Sequence, residues 1–249
     1  MVKRLEAGEK VSFTQHLEEL RKRLIIVMLT LAIAFIGCYY ISDKLLAPFA
    51  KLLGSKMVFL APLDAIMAYM SIAFYAAMAV TVPMTAYQIY AFVSPGLEEK
   101  EKRGAVPIVL AASVLFATGV TFCWFTVLPL TVKFLIGYGG DLMTPMISVK
   151  AYMSFCLSML FVFGVVFELP LAVVIVHAVG LVSYESLKKF RRYWVVVAFI
   201  LGAVVSPSPD VVSQSLAAVP LVVLYELSIV YIYFFARKKE TEPERDDAR

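Results

Sequence analysis

The chain has 249 residues, of which 61% are hydrophobic and only 17% charged, against roughly a quarter charged in an average soluble domain. Its charges fall in clusters separated by long apolar runs, which defines a membrane protein without a soluble domain. The net charge of +4 does not signal nucleic acid, because no basic, aromatic-interleaved stretch lies outside the apolar runs.

The first element is Ser12 to Leu24, SFTQHLEELRKRL. Ser12 and Gln15 have capping-box spacing, so a short amphipathic helix lying against the membrane is expected to start at Phe13. Phe13, Leu17, Leu20 and Leu24 fall within about 60° of one another and make a narrow apolar stripe. Glu18 and Lys22 sit opposite it, whereas His16, Glu19 and Arg23 line one flank. A plainer reading is a solvated helix held by Glu18–Lys22 and Glu19–Arg23 pairs, each contributing a few tenths of a kcal/mol. The basic residues ahead of Leu24 imitate a secretory signal, but 23 residues with four acids come first. The run that follows is also longer than an ordinary signal core, so the segment is expected to be retained.

The predicted spans are about 24–42, 66–93, 105–131, 152–179, 193–206 and 213–235, in one membrane domain covering 1–236. Loops are expected at Asp43 to Asp64, Ser94 to Arg103, Lys133 to Lys150 and Glu185 to Arg192. The second span lies in a charge-free run of 33 residues, Ala65 to Leu97, which exceeds the bilayer core and is expected to bend at Pro83. The fifth apolar run, Tyr193 to Val205, has 13 residues and covers roughly 20 Å. Residues 237–249 form a charged tail expected to be disordered. Six spans put both termini on one side. That side carries 18 Lys and Arg against five on the other, so both termini are expected in the cytoplasm.

No nucleotide-binding, HExxH or GxSxG motif occurs. His16 and His177 are the only histidines, too far apart in depth to form a pair, so no enzyme activity, cofactor or metal is expected. Cys38, Cys123 and Cys156 lie inside apolar runs without ligand spacing and are expected to pack as small apolar residues. Arg191 and Arg192 look like a twin-arginine signal, but they precede a span in mid-chain and read as positive-inside anchors.

Glu168 is the sharpest single residue. A carboxylate deep in a bilayer costs about 2.5 to 3.5 kcal/mol on insertion scales, and Pro170 leaves the Val166 carbonyl without its helix partner. Together they mark a polar notch facing protein or water; the alternative is a protonated side chain hydrogen-bonded for packing alone. Glu226, inside the sixth span, reads as a hydrogen bond within the bundle or a docking residue.

Five segments in order resemble the TatC family, the multispanning receptor subunit of the twin-arginine protein translocase. They are HLEELRKRL (His16 to Leu24), the Pro-Gly-Leu loop ending in Glu101, Lys102 and Arg103, FELP (Phe167 to Pro170), SPSPD (Ser206 to Asp210) and PLVVLYE (Pro220 to Glu226). The resemblance runs from about Ser12 to Ala236. The chain departs from the family pattern in the extra residue between the prolines of SPSPD and in Gly96, Glu98 and Glu99.

The resemblance implies an all-α polytopic protein of six transmembrane helices in a concave, glove-like arrangement with both termini cytoplasmic and the last two spans short. It implies a receptor and core subunit in the cell inner membrane. Such a subunit recognises twin-arginine signal peptides of folded precursors and organises their proton-motive-force-driven export with single-span TatA-type and TatB-type partners. Self-association within the translocase is also implied. Signal binding would fall to Glu19 and Glu101, with Arg21 and His16 in the same cytoplasmic motif, and Glu168 would be the intramembrane carboxylate. Asp210 would lie in the outer loop, and Gln214 and Glu226 near partner docking. The physical logic agrees: adjacent arginines of an extended peptide point to opposite sides, so a receptor needs two separated carboxylates. Each accepts a bidentate pair that lysine cannot copy. The rival functions are a proton- or cation-coupled secondary transporter using Glu168, though no internal repeat is found, and a structural scaffold that would tolerate loss of Glu19 and Glu101.

Overall fold

The computed structural model describes residues 13–54, 57–94, 105–137, 146–178, 180–205 and 211–240. Among them the fold is helical throughout apart from one isolated parallel bridge between Val58 and Ser148. The helices are α1 (Phe13–Tyr40), α2 (Ser42–Leu53), α3 (Asp64–Val80), α4 (Val82–Val93), α5 (Ala105–Phe122), α6 (Leu128–Gly137), α7 (Val149–Phe167), α8 (Leu169–Ala178), α9 (Tyr184–Val205) and α10 (Val211–Glu240), with a π-helical segment, Cys123–Val127, joining α5 to α6.

Four helical stretches among the described residues are long and apolar enough to cross a membrane: Gln15–Tyr40, Ala105–Gly137, Val149–His177 and Gln214–Phe234. The bent pair α3–α4 makes a fifth when counted as one span. Its 48° break falls beside Pro83, where the pattern put it. The proline ring cannot donate to the helix ladder, and Thr81 turns its hydroxyl onto the carbonyls of Ala77 and Met78, at 2.9 and 3.0 Å. Helix α9 stays outside the set because Glu185, Lys188, Lys189, Arg191 and Arg192 occupy its first turns.

Several expected boundaries move. The amphipathic element is not a separate surface helix but the opening turns of α1, since no Gly or Pro between Phe13 and Ile36 interrupts the ladder. Its Leu17, Leu20 and Leu24 are 48%, 45% and 58% exposed to the protein's surroundings, continuous with the lipid-facing side of the span. Its capping residue Ser12 lies outside the described residues. The loop expected after the first span is instead α2, which buries Phe49 and Leu53 one turn apart and ends on Gly54 in the left-handed conformation, φ 70°, where a side chain would be strained. The loop read at Glu185 to Arg192 is also helix. Ser183 caps it by accepting the Ser186 N–H at 3.2 Å, and Glu185 in the first turn favours the helix dipole. The third span runs on to Gly137, and α10 continues to Glu240, into the segment read as a disordered tail. Of the two elements expected to be short spans, α10 is not short, since its apolar stretch has 21 residues; the apolar part of α9 has 13.

The main core joins α2, α3, the π segment, α6 and α7, with Leu128, Met153, Met159, Cys123 and Cys156 fully buried. Helices α5 and α7 cross where Gly119 meets the Phe163 carbonyl and Gly164 meets the Phe116 ring. A smaller core ties α9 to α10: Trp194 stacks on Tyr225 at 4.9 Å and donates to the Leu221 carbonyl at 3.2 Å, and the Tyr225 hydroxyl donates to the Leu187 carbonyl at 2.9 Å. This holds α9 against α10 although its apolar part is brief.

Candidate functional site

The N-terminal turns of α1 lie against the C-terminal end of α4, and the polar residues of the first motif meet there. Arg23 donates from Nε to Glu19 Oε1 at 3.0 Å, and its Nη2 engages the same oxygen. The guanidinium reaches across to α4 as well, donating from Nη1 to Gln88 Oε1 at 3.2 Å and from Nη2 to the Ala91 carbonyl at 3.1 Å. That carbonyl is in the last turn of α4, where helix carbonyls lack amide partners and a cation is favoured. His16, one turn before Glu19, stacks on Phe92 of α4 with ring centres 4.2 Å apart and planes 17° from parallel. Two contacts at neighbouring turns therefore staple α1 to α4 and leave the Glu19 carboxylate half-sheltered between them.

Both Glu–Lys/Arg pairs of the plainer reading form, but they are not equivalent. Glu18 and Lys22, 2.8 Å apart, are well exposed, whereas Glu19 and Arg23 are half-sheltered. Arg21 points to the exposed side of α1 and has no ion pair among the described residues. Glu101 and the other residues of 95–104, which follow α4 in the sequence, lie outside the described residues, as does Asp210.

Glu168 sits at the break between α7 and α8. Its N–H bonds to the Val165 carbonyl in a tightened turn, at 3.0 Å, and Pro170 offers no N–H at the second position of α8. The side chain is half-buried, and its Oε1 is buried without a hydrogen-bond partner among the described residues. On α10, Gln214 donates from Nε2 to the Phe199 carbonyl at 2.8 Å. It edges a shallow apolar hollow of about 500 Å³ on α9, lined by Val195, Val196, Phe199, Ile200 and Ala203. Glu226 faces α9: Arg191 donates from Nε to its Oε1 at 2.8 Å and from Nη2 to its Oε2. Arg191, read from the sequence as an anchor alone, thus also closes the α9–α10 hairpin. His177 Nδ1 lies 2.9 Å from the Val182 carbonyl and holds the turn into α9.

Gln88 and the bridging role of Arg23 escaped the sequence reading. The signal was present: Gln88 is the only amide side chain in the charge-free run Ala65 to Leu97, and it is 6% exposed. A buried amide in an apolar span needs a partner, but that partner lies 65 residues away.

These features define a multi-pass helical membrane protein with a carboxylate–guanidinium site at one end of the bundle. The family model described as Sec-independent protein translocase protein (TatC) matches residues 15–220. A relative of that name from Carboxydothermus hydrogenoformans is 40% identical over 235 residues, 93% of this chain and 96% of the relative. Another from Aquifex aeolicus is 37% identical, covering 91% and 97%. Two crystal structures of the twin-arginine translocase receptor TatC share the fold. One, in DDM, has TM-score 0.79 and 34% identity over 87% of this chain and 98% of its own; the other has TM-score 0.73 and 37% identity over 86% and 96%. The chain belongs to the TatC family, whose members are translocase components and not enzymes.

Proposed function

We propose that this chain is the receptor and core subunit of a twin-arginine translocase in the cell inner membrane, binding twin-arginine signal peptides of folded precursors through Glu19 and Glu101. The observation that carries this reading is the setting of Glu19: a half-sheltered carboxylate already paired with a guanidinium, on the face of α1 stapled to the end of α4. In the sequence, Glu101 follows α4. Arg23 engages only Oε1 of Glu19, and a carboxylate has acceptor sites for a second guanidinium.

The positive-inside imbalance of 18 against five supports cytoplasmic termini, which places this end where precursors are made. Six spans follow if α9 crosses as a short span beside α10. Single-span TatA-type and TatB-type partners suit the apolar hollow beside Gln214, where the short apolar part of α9 would match a short partner helix. Export would then draw on the proton-motive force, with Glu168 as the intramembrane polar group.

Export of a folded reporter carrying a twin-arginine signal tests the reading, in cells whose own TatC-type subunit is replaced by this chain. Glu19→Gln and Glu101→Gln should each slow export and the double variant should abolish it. Export at the unmodified level in the double variant would overturn the assignment.

A further inference from the structure

We infer that Arg23 is a positioning residue for signal binding: anchored on α4, its guanidinium holds the Glu19 carboxylate where an incoming arginine meets it. The inference rests on the reading of Glu19 given above and adds to it a residue that acts through Glu19.

The geometry carries it. Four of the five N–H donors of Arg23 are engaged, two on Glu19 Oε1, one on Gln88 Oε1 and one on the Ala91 carbonyl. The last two acceptors belong to α4 and do not depend on Glu19. Gln88 is itself buried and turns its Nε2 toward the Met84 sulfur, 4.0 Å away. The guanidinium is therefore fixed to a rigid helix, and Glu19 is fixed to the guanidinium. Both contacts fall on Oε1, and Oε2 accepts no hydrogen bond among the described residues. A carboxylate has about four lone-pair sites, so a second guanidinium can be accepted without evicting the first. A glutamate on an open helix face would have to be ordered on binding, which weakens affinity. Arg23 removes that cost before the ligand arrives. It also ties the depth of Glu19 to the end of α4.

Only an arginine performs this task, because the role needs a planar fork spanning three acceptors on two helices. Lysine at position 23 keeps the charge beside Glu19 but cannot reach all three. If Arg23 were instead an internal competitor for the site, its loss would strengthen binding, which separates the two roles by sign.

The test measures affinities of labelled twin-arginine and twin-lysine signal peptides for the full chain in detergent. The proteins are wild type, Arg23→Lys, Gln88→Leu, Glu19→Gln and the Glu19→Gln/Arg23→Lys double variant. Arg23→Lys should weaken the twin-arginine peptide about three- to tenfold and leave the twin-lysine peptide within about twofold, so discrimination narrows. Gln88→Leu, which touches neither Glu19 contact, should act in the same direction and less. In the Glu19→Gln background Arg23→Lys should have no further effect, because its action passes through the carboxylate. Unchanged or tighter binding by Arg23→Lys would overturn the inference, and so would an equal loss in both backgrounds, which would mean general packing. If Glu19→Gln itself leaves affinity unchanged, the reading of Glu19 fails and Arg23 has nothing to position. If Glu19→Gln weakens binding and Arg23→Lys does not, the positioning role alone fails.

Discussion

Replacing Glu168 by Leu should raise stability and lower export, whereas Gln should change neither much. Glu168 lies nine residues before His177, about 14 Å along the helix and so well inside a hydrocarbon core of roughly 30 Å. Its Oε1 is buried and unpartnered among the described residues, and an unsatisfied buried acceptor costs about 1 to 3 kcal/mol. Leucine has similar bulk and removes that cost, so Glu168→Leu should be more stable by about 1 to 2 kcal/mol, or roughly 2 to 8 °C in thermal midpoint for a chain of this size. Glutamine keeps a polar end in the notch and should stay within about 0.5 kcal/mol of wild type. Export of the folded reporter should fall at least tenfold in Glu168→Leu and be largely retained in Glu168→Gln. The two assays are the thermal midpoint in detergent and reporter export in cells. A leucine variant that exports normally would refute the reasoning and reduce the notch to a packing feature.

The crossing of α5 and α7 makes a second prediction. A Cβ at position 119 would lie 2.5 Å from the Phe163 carbonyl oxygen and 2.8 Å from the Phe167 side chain, so Gly119→Ala should cost about 1 to 3 kcal/mol by overpacking, read as a lowered thermal midpoint; an unshifted midpoint would contradict the crossing. The Arg191–Glu226 pair makes a third: Glu226→Gln alone should cost about 1 to 2 kcal/mol, between surface and buried ion pairs, and Arg191→Gln/Glu226→Gln together should cost less than the sum of the singles. Strict additivity in the thermal midpoints would show that the two side chains do not act as a pair.

The long helices were legible because a span is written in a single local property, an unbroken run of apolar residues. Pro83 and the Glu168–Pro170 pair were legible for a similar reason, since each breaks a backbone ladder by its own chemistry. The start of α9 was misread because its polar face follows helical spacing while its composition resembles a loop, and the deciding contact, Leu187 under the Tyr225 hydroxyl, comes from 38 residues downstream. Helix α2 was hidden by Pro48, although Phe49 and Leu53 have helical spacing. At the site, the pairing of Glu19 with Arg23 follows from four-residue spacing alone. The bridge from Arg23 to Gln88 and Ala91 does not, because it depends on how α1 and α4 cross.

The most direct measurement is the affinity of a labelled twin-arginine signal peptide for the purified chain, wild type against Glu19→Ala, Glu101→Ala and the double variant. Each charge-assisted contact contributes about 1.5 to 3 kcal/mol, so each single variant should bind roughly ten- to a hundredfold more weakly. The double variant should not bind measurably, and a twin-lysine peptide should bind wild type less tightly than the twin-arginine peptide. Unchanged affinity in the double variant would contradict the receptor site, and equal affinity for the two peptides would contradict bidentate recognition.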